Sequence, residues 1–123
     1  AQCLEFIDDM VAAYTEADVI VCRAGALTVA ELAAAGLGAI FVPYPHAVDD
    51  HQTHNAKVLV DAKAAVSVPQ SEFTAQHLAD LLQKLDRSNC LQWAEQARKQ
   101  ALPDAAKLTA QAVISTMAAD KKD

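Results

Sequence analysis

Short apolar runs alternate with helix-length segments along the first half of the 123-residue chain. Continuous apolar and β-branched runs at 18–22, 39–43 and 64–69 predict three short buried strands, since strands of a parallel sheet are covered on both faces. The segments between them, at about 28–36 and 51–62, have the length and pattern of helices. Such alternation is typical of a parallel α/β sheet with right-handed crossovers, and this is the fold class that we predict.

Further elements flank these three strands. A helix is expected at about 9–16, and the residues QCLEF before it suggest one more strand. Beyond the third strand the pattern becomes helical, at about 74–86, 89–100 and 104–119, with Pro103 separating the last two helices. A sheet of three or four strands is narrow and has an open edge, which favours self-association. The thin sheet and the abrupt start without Met suggest a piece of a longer protein.

Composition narrows the range of partners. The net charge is −6, so the chain offers no basic field for a nucleic acid, and we expect no nucleic-acid partner. The three cysteines are widely spaced and form no C-x-x-C pair, which argues against a zinc ribbon or a thioredoxin-like motif. Cys22 lies in an apolar run and is expected to be a buried small hydrophobe. Trp93 is expected in the core.

The turn after the first predicted strand, RAGALT at 23–28, is a candidate anion site because ligands of open α/β sheets bind at the carboxyl ends of strands. Gly25 permits a positive φ or a close ligand approach, the helix start presents unpaired N–H groups, and Arg23 adds a positive charge. An alternative needs no ligand. Thr28 and Glu31 match the T-x-x-E capping box, which satisfies the helix start internally and is favoured by the pattern alone. No G-x-G-x-x-G or Walker pattern is present.

A second polar loop, at 43–56, follows the second predicted strand. Asp49 or Asp50 is suited to cap the helix that follows. Asp50 and His54 are four residues apart and would share a helix face, which raises the possibility of a metal site. No third ligand is comparably placed, so we predict no metal and no cofactor. A loop that hydrogen-bonds a sugar or nucleotide and a plain surface loop both stay open.

The two motifs RAGALT…E and DDHQ…NA together closely resemble the donor-binding half of the bacterial peptidoglycan N-acetylglucosaminyltransferases. The resemblance is dense from residue 5 to about 60 and looser up to LPDAAKLTAQAV near the end. Members of that family transfer GlcNAc from UDP-GlcNAc to lipid I, which yields lipid II. The resemblance implies a two-domain GT-B fold with two Rossmann-like halves, of which this chain would be the C-terminal half without its first strands.

The resemblance also implies the residues that bind the donor: Phe6, Ile7, Arg23, Gly25, Ala26, Leu27, Thr28, Glu31, Asp50, Gln52 and Asn55. The first two would border the uracil, and Ile7 would offer backbone groups to the base edge. Arg23 and the turn 25–28 would contact the diphosphate, and Glu31 would accept hydrogen bonds from the ribose hydroxyls. Gln52, with the other two polar residues of the second loop, would hold the GlcNAc hydroxyls. Two departures stand out, since many family members carry Ser at Ala24 and Pro at Gly38.

The rest of the enzyme follows from the same resemblance. Residues 1–102 would form a partial UDP-sugar-binding domain, and 103–123 a helix and tail that reach toward a missing N-terminal domain. That missing half would hold the lipid I site, the general base and the membrane contact, so the fragment is expected to contain no catalytic residue and to be inactive alone. The parent would be peripheral on the cytoplasmic face of the bacterial inner membrane. Two alternatives stay open: an α/β scaffold domain without a ligand, and another UDP-sugar enzyme of this architecture.

Overall fold

The computed structural model describes residues 2–45 and 51–101, and within them three parallel strands form one sheet. The strands are β1 (Val19–Cys22), β2 (Gly38–Phe41) and β3 (Ala65–Ser67). Their order is β1–β2–β3, and Phe41 of the central strand lies between Cys22 on one side and Ser67 on the other. The predicted parallel α/β sheet is therefore confirmed.

Helices connect and flank the strands. The described α-helices are α1 (Met10–Glu16), α2 (Ala26–Ala35), α3 (His51–Asp61), α4 (Ala75–Lys84) and α5 (Arg87–Lys99). The side chain of Thr74 accepts a hydrogen bond from the N–H of His77 and begins α4, and Asp86 accepts from Asn89 and begins α5. The helix predicted at 104–119 lies outside the described residues. No helix in the described part of the chain has the length and apolarity needed to cross a membrane.

The end of α2 is closed from two directions. Gly36 has φ 69° and ψ 53°, and its N–H donates to the carbonyl of Ala33, which is typical of a glycine that follows a helix. Arg98 of α5 donates from Nη2 to the carbonyl oxygen of Ala35 at 3.4 Å. A cation at this end of a helix is stabilising because the helix dipole is negative there. The contact therefore fixes α5 against α2.

The core is centred on β2 and contains many small side chains. All four residues of β2 are buried, whereas β1 and β3 remain partly exposed. Of the fifteen buried apolar residues in the described ranges, seven are alanines: Ala24, Ala33, Ala39, Ala56, Ala64, Ala65 and Ala97. Phe41, Leu32, Ile40 and Leu59 are the largest fully buried side chains. Because alanine ends at Cβ, these positions leave little side-chain bulk between the helices and the sheet.

The N-terminal segment differs from its prediction. Residues 2–6 form no strand, and the chain stays irregular until α1, where Asp9 caps the helix by accepting from the N–H of Ala12 at 3.0 Å. Both Leu4 and Phe6 are exposed. A strand needs a neighbour for its backbone groups, and the three described strands pair only with one another. The apolar character of this segment is therefore not that of a buried strand.

Two residues expected in the interior are only partly buried. Trp93 is half-buried, and its ring lies against Gly38 of β2. Cys22 is partly buried at the end of β1 and packs against the core. Burial raises the pKa of the Cys22 thiol to about 11, so this group is a neutral thiol near pH 7. A neutral thiol is a poor nucleophile, which is consistent with a structural role for Cys22.

Candidate functional site

The loops after β1 and β2 meet at the carboxyl edge of the sheet, because these strands are parallel neighbours. Arg23 follows β1 directly, and its Nη1 donates to the carbonyl oxygens of Val42 at 3.1 Å and Pro43 at 3.4 Å. The guanidinium carbon lies 5.6 Å from the centroid of the Tyr44 ring, which is within the range of a cation–π contact. Arg23 therefore joins the first polar loop to the second.

The start of α3 is tied to the same two loops. Oε1 of Gln52 accepts a hydrogen bond from the backbone N–H of Tyr44 at 2.7 Å. Nδ2 of Asn55 donates to the carbonyl oxygen of Ala24 at 3.0 Å. These two bonds leave the amide NH₂ of Gln52 as a donor and Oδ1 of Asn55 as an acceptor for a ligand. The structure thus brings Arg23, Gln52 and Asn55 together around the two loops, and their roles in binding a donor stay predictions.

The N-terminus of α2 points out of the same edge without a side-chain cap. Gly25 is the N-cap residue, with φ −64° and ψ 147°, and its carbonyl accepts the N–H of Val29 at 3.0 Å. The N–H groups of Ala26, Leu27 and Thr28 precede the first intrahelical donor, and they have no acceptor within the helix. Three backbone donors and the positive end of the helix dipole form a place suited to an anion.

The capping-box interpretation of this turn is wrong. The helix begins at Ala26, so Thr28 is its third residue and Glu31 lies in its middle. A cap residue must have non-helical dihedral angles, and Gly25 supplies them three residues earlier than Thr28, the expected cap. Glu31 instead accepts a hydrogen bond at Oε2 from the hydroxyl of Tyr14, at 3.1 Å.

A positive φ does not explain the glycine at position 25. Its φ of −64° is open to any residue, so that part of the prediction is also wrong. A Cβ at this position would meet nothing nearer than Oγ1 of Thr28, at 3.7 Å. The fold therefore does not require glycine here. The absence of a side chain leaves room for a ligand to reach the backbone N–H groups.

Three of the predicted donor-binding residues lie in the irregular N-terminal segment or outside the described ranges. Phe6 and Ile7 are in the irregular segment before α1, with exposed fractions of 78% and 41%. Asp50, like Asp49, falls in the segment 46–50, outside the described residues. The predicted helix cap at Asp49 or Asp50 and the predicted sugar contact of Asp50 therefore stay predictions.

A groove of about 350 Å³ opens between α2, α3 and the end of α5. Its lining includes Ala26, Val29, Ala33, Asn55 and Val58. Most of these side chains are apolar, and a sugar diphosphate needs charges and hydrogen-bond donors instead. Residues 2–45 and 51–101 contain no group of three or more His, Cys, Asp or Glu side chains that could hold a metal ion. The edge of the sheet at Arg23 is therefore the better candidate site.

Two tyrosines contribute to the site without having been singled out from the sequence. Tyr44 stands between two prolines at the exit of β2, and its position beside the end of β1 is a signal that could have suggested a contact with Arg23. Tyr14 bonds a residue seventeen positions away, on another helix. No local pattern indicates that pair.

Comparison with known proteins agrees with this arrangement. The glycosyltransferase family 28 C-terminal domain matches residues 1–111 of the chain. The chain belongs to glycosyltransferase family 28. Within that family it corresponds to the C-terminal domain, which confirms the resemblance noted in the sequence.

Two relatives in this family are similar to the chain over most of the chain's length. A UDP-N-acetylglucosamine--N-acetylmuramyl-(pentapeptide) pyrophosphoryl-undecaprenol N-acetylglucosamine transferase of Neisseria meningitidis serogroup C is 58% identical over 118 residues, which is 96% of this chain and 33% of that protein. The enzyme of the same name from Ralstonia nicotianae is 52% identical over 115 residues, covering 94% and 32%. The chain therefore spans about a third of the length of these relatives.

A solved structure supports the fold of this family 28 domain. The crystal structure of Acinetobacter baumannii MurG superposes with a TM-score of 0.82 at 49% identity, and the match covers 93% of this chain and 33% of that one. At this similarity the likeness concerns the detailed fold as well as its class. The prediction of a Rossmann-like domain from the C-terminal half of a GT-B glycosyltransferase is confirmed.

Proposed function

We propose that this chain is the part of an inverting glycosyltransferase that binds UDP-GlcNAc, the donor from which GlcNAc is transferred to lipid I to form lipid II in peptidoglycan synthesis. The observation that carries the proposal is the uncapped N-terminus of α2, which lies beside Arg23 at the carboxyl edge of the sheet. The matched relatives are named as N-acetylglucosamine transferases, which supports the choice of sugar.

The diphosphate is the part of the donor that this edge suits best. The N–H groups of Ala26, Leu27 and Thr28 donate to phosphate oxygens without first breaking a side-chain cap. Arg23 directs Nη1 to two backbone carbonyls, and a guanidinium has further N–H groups that can reach a phosphate. During transfer, negative charge grows on the departing UDP. A helix N-terminus and an arginine stabilise that charge without a metal ion.

The remaining parts of UDP-GlcNAc fit on either side of the diphosphate. Glu31 accepts from the ribose hydroxyls, while Phe6 and Ile7 border the uracil. Gln52 donates its NH₂ group to a GlcNAc hydroxyl, and Asn55 and Asp50 complete the sugar contacts. Support for this assignment comes from the bonds that orient Glu31, Gln52 and Asn55 in the described structure.

The same proposal divides the work between this chain and the rest of the enzyme. Residues 1–102 form the donor-binding unit, and 103–123 reach toward the N-terminal half. That half binds lipid I, supplies the general base and contacts the membrane, and the enzyme is peripheral on the cytoplasmic face of the inner membrane. The chain length supports this division, since the relatives are about three times as long.

Titration of UDP and UDP-GlcNAc into the folded chain, by isothermal calorimetry, tests the proposal. We expect both ligands to bind without added metal. We expect Glu31→Ala to weaken binding roughly 10- to 100-fold, since a hydrogen bond to a charged group contributes about 1.5–3 kcal/mol. The matched control is Glu95→Ala, which removes an exposed helical glutamate on α5 and leaves the affinity unchanged.

The outcomes separate the alternatives. A folded chain that binds neither ligand favours an α/β scaffold domain and refutes the proposal. Equal affinity for several UDP-sugars favours another UDP-sugar enzyme of this architecture. If UDP binds and Glu31→Ala behaves like the control, the nucleotide site stands but the ribose role of Glu31 is wrong.

A further inference from the structure

A hydrogen bond between α1 and α2 holds the carboxylate of Glu31, the residue that accepts from the ribose hydroxyls in the proposed function. Tyr14 of α1 donates from its hydroxyl to Oε2 of Glu31 on α2, at 3.1 Å. The Tyr14 ring is half-buried and packs against the core, whereas Glu31 is exposed. One end of this bond is therefore anchored by packing, and the other would otherwise turn freely in solvent.

Glu31 stands at a suitable distance from the diphosphate-binding turn. It lies three residues after Thr28 on the same helix. At a rise of 1.5 Å per residue, that separation is about 4.5 Å along the helix axis. A ligand group attached to a phosphate at the helix start therefore passes close to the Glu31 carboxylate, as the ribose of a nucleoside diphosphate would.

An exposed glutamate loses conformational freedom when a ligand fixes it, and that loss weakens binding. A partner that holds the side chain before the ligand arrives reduces the loss. The Tyr14 hydroxyl is such a partner, because it uses a single acceptor position of the carboxylate. An ionised carboxylate has about four such positions, so the remaining ones can accept the two ribose hydroxyls.

We propose that Tyr14 is a positioning residue for the donor, whose hydroxyl holds the Glu31 carboxylate in the orientation that accepts the ribose hydroxyls. This inference rests on the proposed function, since it requires a nucleoside diphosphate at the start of α2. Tyr14 acts through Glu31 and does not itself contact the ligand.

The hydroxyl keeps its proton in the range where the enzyme would work. Burial raises the pKa of Tyr14 above its ordinary value of 10.0, and the hydrogen bond to Glu31 raises it further. A protonated tyrosine is a donor, and only a donor can hold an ionised carboxylate. The Tyr14–Glu31 contact is therefore expected to persist from neutral pH into the mildly alkaline range.

The test combines a variant that removes only the hydroxyl with a ligand that lacks the ribose hydroxyls. Tyr14→Phe keeps the ring and its packing, and the probes are UDP and 2′,3′-dideoxy-UDP. We expect Tyr14→Phe to weaken UDP about three- to tenfold and to leave the affinity for the dideoxy ligand unchanged. In a Glu31→Ala background, Tyr14→Phe should have no further effect on UDP. The matched control is Thr15→Ala, which removes a neighbouring hydroxyl that bonds only the carbonyl of Val11 in its own helix.

Each other result overturns the inference in a recognisable way. If Tyr14→Phe weakens both ligands equally, Tyr14 supports the fold rather than the ribose contact. An unchanged affinity for UDP shows that Glu31 needs no partner. If Glu31→Ala binds UDP like the wild type, the ribose role is lost and Tyr14 has nothing to position. Failure of the folded wild-type chain to bind UDP at all refutes the proposed function itself.

Discussion

A single guanidinium at the end of β1 connects the two loops of the candidate site. Arg23 reaches two consecutive carbonyls, those of Val42 and Pro43, and also lies over the ring of Tyr44. Lysine has one compact ammonium group in place of this planar fork and could not hold the same set of contacts. Arg23 therefore shapes the edge of the sheet as well as carrying charge there, so its replacement would alter both.

Gly38 gives the first test at the scale of single residues. A Cβ built on it would lie 2.6 Å from Cβ and 2.7 Å from Cε3 of Trp93, and 3.2 Å from the carbonyl oxygen of Ala64. We expect Gly38→Ala to lower the free energy of unfolding by about 1–3 kcal/mol, the usual effect of overpacking a core. Urea denaturation followed by circular dichroism measures the change. Glycine in place of the proline that many family members carry at position 38 therefore has a structural reason. The Trp93 side chain occupies the space that a larger residue would need.

Gly25→Ala is the matched control for that test. The added methyl group would meet only Oγ1 of Thr28 at 3.7 Å, and φ is compatible with alanine. Its stability should lie within about 0.5 kcal/mol of the wild type. Equal losses in the two variants would contradict the packing explanation.

At the scale of elements, the start of α5 makes a measurable contribution. Asp86 caps this helix by accepting the N–H of Asn89 at 2.8 Å, and α5 packs against both α2 and β2. We expect Asp86→Ala to cost about 1 kcal/mol of stability, because one helix-start N–H loses its acceptor. Asp86→Asn should retain most of the stability, since asparagine caps nearly as well. Thermal and urea unfolding of the two variants measure the difference. An asparagine variant as unstable as the alanine variant would show that charge, rather than the cap bond, is what stabilises α5.

The elements were predictable to the extent that apolar periodicity determines them. The three strands stand within a few residues of their predicted places, because each is a short apolar run between polar turns. The sequence pattern predicts that α2 starts at about residue 28, two residues after its observed start at Ala26. The T-x-x-E spacing also fits the interior of a helix, and Gly25 caps α2 without any side chain. The expected N-terminal strand failed because an apolar pattern cannot reveal whether a pairing partner exists.

The contacts within the site were less predictable than its location. The strand ends predict that the polar loops after β1 and β2 lie at one edge, and the resemblance singles out Gln52 and Asn55, which bond these loops in the structure. The sequence could not show that Arg23 bonds backbone carbonyls of the next loop. Nor could it pair Tyr14 with Glu31. Such contacts depend on how α1 and the loops pack in three dimensions, which leaves no periodic trace in the sequence.

At the scale of the whole molecule, the chain is expected to bind a donor but not to use it. In a GT-B enzyme the reaction takes place between two halves, and this chain covers 33% of its matched relatives. We therefore expect the 123-residue chain, supplied with UDP-GlcNAc and a lipid I analogue, to form no glycosylated product above background. Chromatography of the labelled acceptor measures the product, and a full-length relative in the same assay is the positive control. Detectable turnover by the chain alone would overturn this prediction.

The alanine-rich core has a consequence for how the site tolerates change elsewhere. Seven of the fifteen buried apolar residues in the described ranges end at Cβ, and residues such as Ala24, Ala39 and Ala56 leave little side-chain bulk between the helices and the sheet near the α2 N-terminus. Any larger residue there acts as a wedge, and it would lift a helix end away from the strand ends that share the ligand. The buried alanines therefore help to determine the geometry of the candidate site. Substitution of these buried alanines by larger residues would therefore change ligand binding at the surface.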